Sequence, residues 1–102
     1  ITVRAAIANG ELDAALEALT PLVKDPRLPD ELKEEVLYTY ADLLFQKNRN
    51  NLEENFSQVV NAFEQAINYD PKSPRLSSAL LNLGYIHLQV GNIPEAKAYF
   101  NL

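Results

Sequence analysis

Cysteine is absent from the 102 residues, which excludes disulfides and thiolate metal sites and suits an oxidising or a reducing compartment equally. Histidine occurs once, at His87, so no second imidazole or thiol can join it as a metal ligand or a proton relay. Basic residues are few: 9 Lys and Arg stand against 14 Asp and Glu, and the net charge is −5. Phosphate binding needs a basic face, and no run of Lys or Arg supplies one, so nucleic acid is excluded as a partner. No apolar stretch approaches the ~20 residues that cross a bilayer, so no direct membrane contact is expected. Gly-rich phosphate loops, nucleophile elbows and metal motifs are all missing. The carboxylates Glu31, Glu34, Glu35, Asp42, Glu53, Glu54 and Glu64 lie at helix starts and on polar faces, where solvation and the helix dipole account for them. Neither catalysis nor a cofactor is therefore expected.

What the chain does have is apolar material at helical spacing. A hydrophobic share of 47% suffices for a continuous core. In the last third, Leu80, Leu83, Gly84 and His87 fall on one face of a helix over 77–90. Gly91 suits the left-handed position that ends it, and Asn92 with Glu95 forms a candidate capping box for the next helix. Ala96 and Phe100 share the inward face of that second helix. Small residues at Gly84 and Ala96 allow close approach, with Leu83 and Phe100 filling the space beside them. On this face His87 reads as a packed core residue.

Earlier segments repeat the pattern. Leu37, Tyr40, Ala41 and Leu44 have the spacing of Leu80, Leu83, Gly84 and His87, on a helix from Pro29 or Asp30 to Lys47. A polar loop, 47–51, leads to a helix from Leu52 to Tyr69 with Val59, Phe63 and Ala66 inward, and Asn51 or Asn50 as its cap. Asp70-Pro71 ends it, and Ser73-Pro74 reads as a cap followed by proline at the first helical position. Residues 11–24 carry the stripe Leu12, Ala15, Leu16 and Leu19, with Pro21 expected to kink or shorten the helix near its end. A short apolar segment over 1–8 precedes the turn signal Asn9-Gly10. The chain does not begin with methionine, and both ends fall inside helical patterns, so the expectation is a piece of a longer protein.

The order L-G-x-x-H followed by G-x-x-x-x-A-x-x-x-F, over 77–102, resembles the tetratricopeptide repeat. The segment AFEQAINYDPKSP resembles the end of such a repeat, and Gly10, Ala15 and Leu19 share the spacing of Gly91, Ala96 and Phe100. The resemblance is strong at the C-terminus, weaker over 34–71 and weakest before that. Leu19 to Phe63 to Phe100 steps by more than the family's 34 residues, with the extra residues at helix ends. Other helical hairpins, HEAT-like ones included, stay open as an alternative. The fold expected is all-α: a right-handed superhelical stack of antiparallel helix hairpins, about six helices, the first and last truncated. Its units are a partial repeat over 1–28, a long repeat over 29–73 and a partial repeat over 74–102.

In such a stack the resemblance implies that the first helix of each pair lines an inner wall. That wall would carry Glu35, Tyr38, Asp42 and Phe45, then Ser78, Leu81, Asn82, Tyr85, Leu88 and Gln89, with Arg4 and Ile7 from the truncated first helix. Tyr38, Asp42, Phe45, Leu81, Asn82, Tyr85, Leu88 and Gln89 are the candidate groove. Aromatic anchors supply area at low entropy cost while Asn, Gln or Asp hold a backbone. The competing reading is that these side chains only pack on further repeats or on each other. Family members that clamp acidic tails use Lys, Arg and Asn on this wall; Glu35 and Asp42 would repel such a tail, so an apolar or weakly basic protein segment is the expected partner. Self-association through the truncated terminal helices is the alternative, and a recruiting arm of an enzyme whose catalytic domain lies elsewhere is a third.

Overall fold

The structure is a computed structural model that describes residues 11–102. Five helices follow in order: α1 (Leu12–Val23), α2 (Asp30–Lys47), α3 (Leu52–Tyr69), α4 (Leu76–Gln89) and α5 (Ile93–Phe100). The described residues are all-α, a series of antiparallel helix hairpins stacked side by side. The segment over 1–8, the turn at Asn9-Gly10, and the wall positions Arg4 and Ile7 lie outside them.

Each helix packs first on its neighbour in sequence, α1 on α2, α2 on α3, α3 on α4 and α4 on α5. Apolar periodicity decides which faces meet. Ala15, Leu16 and Leu19 of α1 bury against Leu43 of α2 in a small cluster. A larger one joins Leu37 and Ala41 of α2, Val59, Phe63 and Ala66 of α3, and Leu83 and Ile86 of α4. Tyr40 and Leu44 touch both clusters and make one continuous core. Each fully buried Leu or Phe contributes about 1.5–3 kcal/mol, which is what holds short helices that are marginal alone.

The helix ends follow their local chemistry, with three departures from expectation. Pro21 does not break α1, which ends two residues later, because a proline near the last turn removes little. Gly91 takes φ +87°, and the amides of Asn92 and Gly91 return to the carbonyls of His87 (2.8 Å) and Leu88 (3.2 Å), a Schellman motif closing α4. Asn92 precedes α5, but its side chain makes no cap; its amide instead lies 3.2 Å from His87 Nδ1. Asn51 likewise makes no side-chain cap on α3, whose first turn is set off by non-helical dihedrals at Asn55. Ser73 does not cap α4 either. Its Oγ accepts from the Arg75 amide at 3.0 Å in a tight turn, and α4 starts at Leu76.

The α4–α5 contact is close because of Gly84. A Cβ there would lie 2.6 Å from the Phe100 ring, so the ring covers the bare backbone. His87, one turn further along α4, is buried, its ring stacked on Tyr99 at 5.3 Å and met edge-on by Phe56 at 5.2 Å.

Candidate partner-binding groove

Helices α2 and α4 lie side by side, with Phe63 of α3 behind them. Asn82 Nδ2 donates to Asp42 Oδ1 at 3.3 Å, and the rings of Phe45 and Tyr85 meet edge to face at 5.8 Å. Both pairs are forty residues apart and advance in the same direction, so the helices run parallel. Between them opens a cleft of about 400 Å³ whose walls include Tyr38, Asp42, Ser78, Leu81 and Asn82, with Phe63 and Ala79 beneath.

Two of the expected wall residues are not open. Tyr38 is 4% exposed and Phe45 4%, both inside the core cluster. The reason is that α2 is flanked by α1, α3 and α4, so its apolar residues are needed on more than one side and the arc it buries is wide. The Tyr38 edge still reaches the cleft wall, while its hydroxyl donates to the Asp70 carbonyl at 2.8 Å. Burial pushes the Tyr38 phenol up, and the charges of Asp70 and Glu34 add to this. Phe45 instead supports the rim, packing on Phe63 and Tyr85.

The remaining candidates stay accessible. Leu81 is 60% exposed and Tyr85 36%, and Leu88 and Gln89 continue the same exposed stripe of α4. Asp42 and Asn82 are half-buried. Asp42 Oδ2 also accepts from Gln46 Nε2 at 2.9 Å, and no described cation pairs with this carboxylate.

Sequence reasoning missed the ends of the cleft. Glu34, expected on a polar face, is 8% exposed. Its carboxylate takes Arg75 Nη1 at 2.7 and 2.9 Å and Ser73 Oγ at 2.9 Å, while Arg75 Nη2 lies 3.8 Å from Glu35. At the other end Arg49, from the α2–α3 loop, lies over the rings of Phe45 and Tyr85 at 5.7 and 5.9 Å. Two arginines thus border a wall on which the sequence reading placed no cation except Arg4. No periodicity marks a polar pair 41 residues apart, so the Glu34–Arg75 link had no signal to find.

Residues 77–102 match the family model described as the tetratricopeptide repeat. The match covers 26 of the 102 residues, so over that span the chain is similar to the tetratricopeptide repeat. The matched span takes in nearly all of α4 and the whole of α5, and so includes Gly84, the Phe100 ring that covers it, and the buried Ala96. No curated protein and no solved structure matches the chain. That likeness suggests a protein–protein interaction module in general terms. Among the described residues no group of three His, Asp or Glu side chains could hold a metal ion, and no described helix is long and apolar enough to cross a membrane.

Proposed function

We propose that the α2–α4 cleft binds a segment of another protein, extended or helical, and that the chain acts by binding and not by catalysis. The observation that carries this is the exposed Leu81–Tyr85 stripe beside a cleft whose wall holds hydrogen-bonding groups at Asp42 and Asn82. An apolar side chain can settle against Leu81 while amide and carboxylate groups take up the segment's backbone or polar side chains. An acidic tail is disfavoured, because Arg75 is already held by Glu34 and Glu35 while no described cation pairs with the Asp42 carboxylate. An apolar or weakly basic segment fits this balance. In this reading 29–73 is one long repeat, 74–102 the next, and α2 and α4 are their first helices.

The test is selection of peptides from a displayed random library on the chain, followed by calorimetry. Leu81→Ala/Tyr85→Ala is expected to weaken the selected peptides at least tenfold, since two central contacts are worth about 1–2 kcal/mol each. Melting temperatures are matched beforehand. Unchanged affinity in a variant that still folds would overturn the groove.

A second reading has its own observation. Ile93, Phe100 and Leu102 on and beyond α5 are 43%, 45% and 80% exposed, an apolar end face that a second copy or a further repeat would cover.

A further inference from the structure

The two cross-helix contacts in the middle of the groove differ in kind, and they are adjacent. Asp42 and Phe45 are one turn apart on α2; Asn82 and Tyr85 are one turn apart on α4. The Asp42–Asn82 and Phe45–Tyr85 contacts are therefore successive rungs, separated by roughly 5 Å of helix rise. One rung presents a carboxylate with no described cation on it, held in place by amides from Gln46 and Asn82. The other presents the exposed ring of Tyr85, backed edge-on by the buried Phe45, and a guanidinium, that of Arg49, already lies over these rings at distances where cation–π attraction operates.

We propose that Asp42, Asn82 and the Tyr85 ring, which Phe45 braces from behind, form a subsite for an arginine side chain of the bound segment. The proposal rests on the groove reading and names the residue type that the groove selects. A guanidinium is planar: it can lie against a ring with one face and donate to a carboxylate with its edge. Its stem is long enough to lie along one turn of helix while its head meets Asp42. The compact, strongly hydrated ammonium of lysine suits the carboxylate but gains less from the rings. Arg49, on a loop at the end of the same seam, is the intramolecular competitor. Its charge lies over the Tyr85 ring that an incoming arginine would use, so it weakens occupancy of the subsite and favours release.

The probes are N-acetyl-arginine methylamide, the lysine equivalent and the citrulline equivalent, which keeps arginine's shape without its charge. Each is titrated into the isotope-labelled chain and followed by amide chemical shifts. The arginine probe is expected to saturate with a millimolar Kd and to shift the side-chain amides of Gln46 and Asn82 together with the Tyr85 backbone. The citrulline probe is expected to be roughly fivefold weaker or worse, and the lysine probe to fall between them. Asp42→Asn should weaken the arginine probe about fivefold, Tyr85→Leu about threefold, and Arg49→Ala should strengthen it about twofold. Equal binding of arginine and citrulline, or full binding by a folded Asp42→Asn variant, would overturn the subsite. If library peptides bind through Leu81 while the arginine probe fails, the groove stands and the subsite falls. If the arginine probe binds as described but no peptide can be selected, the subsite stands and the groove reading falls.

Discussion

Tyr38 shows how a single side chain changes meaning between sequence and structure. Its spacing with Asp42 and Phe45 places it correctly on one stripe of α2, but not how far α3 and α4 close over that stripe. Its phenol ends as a tie, with the hydroxyl donating to Asp70 at the α3 C-terminus. Tyr38→Phe removes that bond and is expected to cost about 1 kcal/mol at neutral pH. The raised phenol pKa adds a sign that can be checked. The stabilisation is complete below the ordinary tyrosine value near 10 and is lost as pH rises through the higher folded value. Melting temperature should therefore fall more steeply between pH 9 and 11 in the wild type than in Tyr38→Phe. Tyr69, whose hydrogen bond to Asp30 also raises it, titrates in both proteins and cancels in the comparison. Parallel melting curves across that range would show that Tyr38 is not a buried, ionisable tie. Glu34 illustrates the same limit on reading sequence, since its local context is a helix start and its actual partners, Ser73 and Arg75, lie across the fold.

At the scale of helices, the sequence was informative wherever period and backbone freedom decide the outcome. The spacing of Leu80, Leu83, Gly84 and His87 with Ala96 marks the α4–α5 hairpin, and Gly91 closes α4 in the left-handed conformation expected of it. Capping was less legible, because a cap side chain has rival partners that only the folded neighbourhood supplies. Asn92 turns to His87 and Ser73 to Glu34. Gly84 allows a quantitative check. Gly84→Ala gains up to ~1 kcal/mol of helix propensity but forces the Phe100 ring aside, an overpacking cost of about 1–3 kcal/mol. The ring is 45% exposed and can swing outward, so the cost belongs at the low end of that range. A net destabilisation of about 0–1 kcal/mol is expected from denaturant unfolding. In a Phe100→Ala background the obstruction is gone, and Gly84→Ala should stabilise by roughly 0.5–1 kcal/mol. The same loss in both backgrounds would mean that Phe100 is not what requires glycine.

For the molecule as a whole, three surfaces are candidates for contact with a partner. The α2–α4 cleft carries Leu81 and Tyr85; the opposite side presents a polar row with Gln58, Asn61 and Gln65 of α3; the end face carries Ile93 and Phe100. The architecture was legible in advance because stacked hairpins follow from periodicity alone. Which surface is used was less so, since it depends on how neighbouring helices divide the apolar stripes between core and solvent. Site-specific photo-cross-linking separates the three. A benzophenone amino acid is placed in turn at Leu81, Gln58 and Ile93, all exposed, in the protein expressed at its natural level. A discrete heterologous adduct from position 81, absent from position 58 and competed by a library-selected peptide, is the expected result. An adduct between two copies through position 93, with none from position 81, would contradict the groove and make the end face an assembly surface.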